Sequence, residues 1–318
     1  MSSLCPACGG DQATLYGRYR DEEYFTSDDV FSYWHCSGCE SVFLSPLPVD
    51  RLAEIYPANY YSFGPSGGAV VRVKEWLDSA YLARILRSLP GCSLDVLDVG
   101  GGVGRQLDLV RSLDSRVSFT QIVDLDPNAG VQAAASGHVY ECGRIESFAT
   151  QRKFHLILLL NLIEHVESPR AVLQKLASLL APGGKILIKT PNVRALDARI
   201  FRRSYWAGLH VPRHWTLFTR ASFERLLCKT ELRVSEFSYT QGAPFWAASI
   251  LAAWHRRGWI SISHERPAVY HPLFGLIAAF FAGVDFIRGM LVPTSQMRLV
   301  LDRRSACDVR KTTERQRK

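Results

Sequence analysis

From Val73 onward, apolar residues recur at helical spacing: Val73, Trp76, Leu77, Tyr81, Ile85 and Leu89 share one face, and Pro90 with Gly91 ends the run. Beyond it the pattern shortens to apolar blocks of strand length. "LDVLDV", "FTQIVDLD", "FHLILLLN", "KILIKT" and "LRVSEFSYT" follow one another, with helical patterns between most of them. Such alternation predicts an α/β body with a doubly wound, mainly parallel sheet carrying helices on both faces. The next strand pattern, "QMRLVLD" at Gln296–Asp302, comes only after two apolar segments, "APFWAASILAAW" and "LFGLIAAFFAGV". Each has the length of about three helical turns, which predicts a helical hairpin inserted at about 243–292. Neither reaches the roughly 20 apolar residues that a bilayer span needs. The hairpin has three readings: a lid over an apolar acceptor, a buried helical pair, or a peripheral contact with a membrane surface beside Arg256, Arg257 and Arg288.

Ahead of the body, "SFGPSGG" has linker chemistry and divides the chain into a cysteine-bearing segment, 1–61, a joint at 62–68 and a body at 69–302. The 318 residues carry a net charge of +8, densest in the tail 303–318, which reads as solvated and disordered. Cys5, Cys8, Cys36 and Cys39 form two C-x-x-C pairs, and two such turns supply the four thiolates that zinc takes in a tetrahedron. A structural zinc ribbon is therefore expected, with His35 a bystander. Between the pairs, "DEEYFTSDD" is acidic and lacks lysine, which counts against a nucleic-acid partner. The remaining cysteines are scattered and the first residues show no signal-peptide pattern, so a cytoplasmic protein is expected.

The densest chemistry is "LDVGGGVG", Leu97–Gly104. A dinucleotide fingerprint starting at Gly100 would need glycine where Arg105 stands, and no phosphate loop of the G-K-[ST] type is present. What remains is Asp98 at a strand end, then Gly100, Gly102 and Gly104. Glycines there let backbone turn beneath a ligand, and the carboxylate can accept from a cationic amine. Asp124 ends the next strand, where a carboxylate can take both hydroxyls of a ribose. This acidic pair suits S-adenosylmethionine (SAM) better than a pyrophosphate.

With these motifs the chain resembles the class I SAM-dependent methyltransferases, in particular a branch with an N-terminal cysteine ribbon. "LLNLIEHVESP", "LLAPGGKILIKTPN" and "YWAGLHVPRHWTLFTRASFERLL" extend the resemblance over roughly Leu4 to Arg303. It implies a Rossmann-like sheet, with Asp98 and the glycines cradling the methionine part of SAM and Asp124 holding the ribose. Leu125 and Ile145 would pack on the adenine, and Asn161 would join the cofactor site. Many relatives place an aspartate after the third strand; this chain has "CGRIESF", where Glu146 is the candidate substitute.

Methyl transfer is an in-line displacement, so alignment and exclusion of water supply much of the catalysis, and a base is needed only for an acceptor that must lose a proton. His165 in "NLIEHV" and Asn192 in "TPN" end strands on the ligand side of such folds. "GLHVPRHWTLFT" gathers His210, Arg213 and His214, an imidazole set for proton transfer and a guanidinium for a carboxylate or phosphate. The expected acceptor is a small molecule, a sugar nucleotide or a lipid-linked saccharide. The competing readings are an RNA or protein methyltransferase gripping its substrate through the ribbon, and a non-catalytic cofactor-binding module.

Overall fold

The computed structural model describes residues 4–56, 69–289 and 291–304; the joint at 62–68 and the tail from 305 lie outside the described residues. The N-terminal segment forms β1 (Ala13–Tyr19), β2 (Phe31–Cys36), β3 (Val42–Leu44) and a short helix, α1 (Leu52–Ile55). The body then runs α2 (Ala69–Arg87), β4 (Leu94–Val99), α3 (Arg105–Leu113), β5 (Val117–Asp124), α4 (Pro127–Ala135), β6 (Val139–Cys142) and β7 (Phe154–Leu160). It continues through α5 (Pro169–Leu179), β8 (Leu180–Pro191), α6 (Leu196–Phe201), β9 (Thr216–Leu217), α7 (Arg220–Leu227) and β10 (Leu232–Thr240). Helices α8 (Ala243–Arg256) and α9 (Phe274–Arg288) precede β11 (Gln296–Arg303).

The body strands form one seven-stranded sheet in the order β10-β11-β8-β7-β4-β5-β6. From β6 to β8 neighbours are parallel, whereas β11 is antiparallel to both β8 and β10. Helices cover the central strands on both faces, so β4, β7 and β8 are apolar almost throughout: Val96, Leu97, Ile157, Leu158, Ile186 and Ile188 are all buried. Chain order reverses between β4, which continues to β5 on one side, and β7 on the other. Such a switch point opens a crevice beyond the carboxyl ends of the strands, and this is where the glycine loop lies. Strand β6 has no counterpart in the sequence expectation. It is four residues long and mostly exposed at the sheet edge, so no apolar block marks it.

The N-terminal segment does not stand apart. Its strands β1, β2 and β3 pair antiparallel, and β3 then pairs with β9 from the body to complete a four-stranded sheet. Cys5, Ala7, Cys36, Cys39 and Phe43 share a core with Ile163, Phe218 and Phe223, and Arg170 of α5 donates to the carbonyl of Ala7 at 3.0 Å. The cysteine-bearing segment and the body thus share one core.

The two apolar segments form a packed pair, Trp246 of α8 stacking on Phe281 of α9 at 4.4 Å between ring centroids. Their exposure differs. Helix α8 buries Ala247, Ala248, Leu251 and Ala252 against Trp206 and Leu209, whereas α9 leaves Leu276, Phe280 and Ile287 exposed. Neither helix lines the crevice. Among the described residues no helix is long and apolar enough to cross a membrane.

Candidate functional site

The crevice is a cavity of about 1210 Å³. At one end β4 delivers Asp98 beneath the glycine loop, where the carboxylate is buried and Oδ2 has no hydrogen-bond partner. Burial, with Asp124 nearby, pushes the Asp98 carboxyl up to about 8. A buried, unpartnered carboxylate is costly, and a cationic amine entering the cavity would relieve it. The loop fits closely around this group: a Cβ on Gly101 would lie 2.7 Å from Asp98 Oδ2. Gly104 starts α3 with φ near +89°, and a Cβ there would meet the His138 ring at 2.4 Å. Gly104 therefore shapes the loop from below, while Gly100 and Gly102 line the cavity.

Asp124 ends β5 at the same rim, where its Oδ2 accepts from the Gly102 amide at 2.8 Å and its Oδ1 from Asp126 N at 2.9 Å. These bonds fix the orientation of the carboxylate at the rim of the cavity. Leu125, more than half exposed, and Ile145, buried, supply apolar walls, with Glu146 beside them. Asn161 lines the cavity in the left-handed region at φ 54°, its Oδ1 accepting from Gln296 Nε2 at 2.9 Å.

His165 also faces the cavity. Its Nδ1 lies 2.9 Å from the hydroxyl of Tyr56, which follows α1 and lines the cavity with Leu52. Burial and the neighbouring His210 pull the His165 imidazole down to about 3, so it is neutral at physiological pH. The His214 ring stands 4.6 Å from that of His165, edge to face, with Nδ1 2.8 Å from the Gly208 carbonyl. Glu164 is fully buried, accepts from Thr190 Oγ1 at 2.9 Å, and has its carboxyl pushed up to about 8 by that burial. Glu164, His165 and His214 bring one ligand atom each within 4.8 Å of one another.

The other candidates are placed behind this surface. His214, His210, Arg213 and Asn192 do not line the cavity. Arg213 is fully buried: Nε donates to the Ile55 carbonyl at 2.6 Å, Nη1 to Val211 at 2.9 Å and Nη2 to Asp21 at 2.8 Å. A guanidinium so committed ties the N-terminal segment to the body rather than meeting an acceptor. Removing one member of a buried pair leaves the other charge uncompensated, so Arg213→Ala should cost about 3–5 kcal/mol in urea unfolding. An unchanged urea midpoint would contradict this structural role. His210 Nδ1 lies 2.7 Å from Glu23, and Asn192 Nδ2 donates to the Thr294 carbonyl at 2.9 Å, both inside the fold.

Tyr56 and Leu52 were not legible in the sequence, because Leu52 sits on a four-residue helix and Tyr56 directly after it, in a stretch without periodicity. Lys189 and Arg298, on β8 and β11, line the cavity too and carry no motif.

At the N-terminus the four thiols converge, Cys5 Sγ lying 3.6 Å from Cys39 Sγ and Cys8 Sγ 3.6 Å from Cys36 Sγ. All four lie within 4.8 Å of one another, and none is in a disulfide. Thiolates about 2.3 Å from a tetrahedral zinc lie roughly 3.8 Å apart, so this set fits that ion.

A family model for a methyltransferase domain matches residues 73–236, just over half of the chain. A ubiquinone biosynthesis O-methyltransferase of Bradyrhizobium sp. (strain ORS 278) is 29% identical over 179 residues, 51% of this chain and 67% of that protein. Its namesake in Nitrobacter winogradskyi is 31% identical over 118 residues, 35% of this chain and 42% of that protein. The chain thus spans about two thirds of the first relative and under half of the second. Among solved structures, a coclaurine N-methyltransferase bound to N-methylheliamine and S-adenosylhomocysteine covers 81% of both chains at 13% identity, with a TM-score of 0.49.

Proposed function

The chain belongs to the SAM-dependent methyltransferases, and from that premise we propose that it methylates a hydroxyl of a small-molecule acceptor, free or as the saccharide of a nucleotide or lipid carrier. The observation that carries this reading is the single cavity joining the Asp98–Asp124 end to His165 and Tyr56. At about 1210 Å³ it exceeds the roughly 300–1,000 Å³ that one drug-sized ligand occupies, leaving room for donor and acceptor together. The oxygen acceptor is supported by the names of the curated relatives, which are O-methyltransferases.

SAM supplies a methyl group activated by a sulfonium. In our reading Asp98 accepts the amine of the methionine part, Asp124 takes the ribose hydroxyls, Leu125 and Ile145 sandwich the adenine, and Glu146 and Asn161 complete the donor site. His165 is the group that meets the acceptor. A neutral imidazole held by Tyr56 can orient a hydroxyl and receive its proton as the oxygen–carbon bond forms, when that oxygen becomes a far stronger acid. His214 and His210 back the imidazole, while Arg213 and Asn192 fix the loop that carries them. The zinc ribbon is structural in this proposal.

The test is methyl transfer from labelled SAM to a panel of phenolic and saccharide hydroxyls. His165→Gln should keep S-adenosylhomocysteine affinity and lower kcat by about 10²–10⁴-fold, the usual range for a positioned acid or base. Turnover equal to wild type would remove His165 from the mechanism.

A further inference from the structure

Helix α9 presents an apolar face that nothing among the described residues covers. Its inner side packs on α8: Phe281 stacks on Trp246, and Phe274 and Ile277 join the core behind it. Leu273, Leu276, Phe280 and Ile287 are exposed instead, at the three- and four-residue steps that make one helical stripe. The charged residues of α9, Asp285 and Arg288, bond each other at 3.0 Å, with the guanidinium over Trp246 on the inner side, and leave the stripe uncharged. Because α9 does not line the cavity, the stripe is no lid over an acceptor. An apolar patch so exposed marks a contact with something outside the fold.

The charges around the stripe identify its partner. Phe201 of α6 lies edge-on to Trp246, 6.2 Å between centroids, so α6 borders the helix pair and adds Leu196 and Ile200 to the exposed apolar surface. Residues 196–203 and 243–295 together contain seven arginines against three acids, and two of those acids, Asp197 and Asp285, are buried. Arg199, Arg203, Arg257 and Arg266 are all exposed. Arg257 lies 5.5 Å over the ring of Trp259, which is itself more than half exposed, and such aromatic side chains settle at the headgroup level of a membrane. A second copy of the chain suits the stripe poorly, since a twofold contact sets each patch on itself and would bring the arginines together. We propose that this face docks on a bilayer bearing anionic lipid, its apolar side chains entering the acyl boundary while the arginines meet headgroup phosphates. The contact is peripheral and lies apart from the cavity, so it stands or falls independently of methyl transfer.

The experiment is flotation of the full-length protein with vesicles of phosphatidylcholine alone and of phosphatidylcholine mixed with phosphatidylglycerol. The protein should float with the mixed vesicles and more weakly with the neutral ones, because each arginine near an anionic surface is worth about fivefold in affinity. Phe280→Ser/Ile287→Ser should bind the mixed vesicles about tenfold or more weakly for want of two buried apolar side chains. Its far-ultraviolet circular dichroism should be unchanged, since both positions are exposed. Should loss of the Phe280 contact with Phe281 disturb α9, Leu276→Ser/Ile287→Ser decides the matter. Arg199→Gln/Arg203→Gln should weaken binding to the mixed vesicles and leave that to the neutral ones as it was. Failure of the wild type to float with either vesicle, or equal flotation with both, overturns the docking surface. Wild-type flotation of both serine variants does so too, by giving the contact to another part of the chain. A wild-type dimer in light scattering that Phe280→Ser/Ile287→Ser disperses would assign the stripe to a second copy and overturn it as well.

Discussion

Asp98→Asn should fold as well as the wild type, or better, and lose most of its affinity for the methyl donor. The two effects share one cause. Asp98 is buried without a partner for Oδ2, and its carboxyl is pushed up to about 8 from an ordinary 3.8. Between those values the folded protein keeps a proton that the unfolded chain releases, so this group's contribution to stability falls as pH rises from about 4 to about 8. Asparagine has no proton to lose, so the melting temperature of Asp98→Asn should gain on that of the wild type across the same window. Donor binding runs the other way. A cationic amine favours the carboxylate, so wild-type affinity for S-adenosylhomocysteine should rise with pH towards 8 as that proton is shed. The asparagine variant should bind about tenfold to a hundredfold more weakly, the worth of one charge-assisted hydrogen bond, with a flat pH profile over this range. Calorimetry at several pH values reads both quantities. Undiminished affinity in Asp98→Asn would remove the carboxylate from the donor site.

The second large effect concerns the four thiols. With the proposed zinc held by these thiols, Cys36→Ser, or treatment with a strong chelator, should unfold the body together with the cysteine segment in one transition. Structural zinc sites hold apparent binding free energies of about 10–16 kcal/mol, comparable to the whole stability of a domain. A ribbon on a flexible tether would melt alone. Here Cys36 and Cys39 share a core with Phe218 and Phe223, β3 pairs with β9, and Arg213 bonds Asp21 and Ile55 of the N-terminal segment from inside the body. If the thiols hold the proposed zinc, circular dichroism should therefore show loss of helix, which among the described residues only the body has in quantity, alongside loss of that metal by metal analysis. Retention of the body's helical signal and donor binding after full metal loss would contradict this coupling.

The sheet and the glycine loop after β4 were the most legible parts of the chain. Strands β4, β7 and β8 are covered on both faces and read as unbroken apolar runs, and the loop after β4 needs glycines that no other demand would cluster so densely. Strand β6 escaped because an exposed edge of four residues needs no apolar pattern. The opposite end of the cavity escaped for a different reason. Tyr56, Lys189 and Arg298 come from three distant stretches that only the packing brings to one cavity, and each looks unremarkable among its neighbours in sequence. Conversely, the cluster at His210–His214 drew attention by its residue types, while burial gives Arg213 and His210 to Asp21 and Glu23. Residue type signalled a polar network there, and burial assigned much of it to holding the fold.

The pairing of β3 with β9 also bears on the order in which a growing chain can assemble. Val42 and Phe43 meet Leu217 and Thr216, so the sheet begun by β1, β2 and β3 waits until β4 to β8 have been made before its last strand arrives. Until then β3 keeps an open, apolar edge, the kind of surface that pairs with neighbouring chains when left exposed. The thiols that precede it close a small loop long before that strand appears, and early capture of a metal would hold β2 and β3 in shape during the wait.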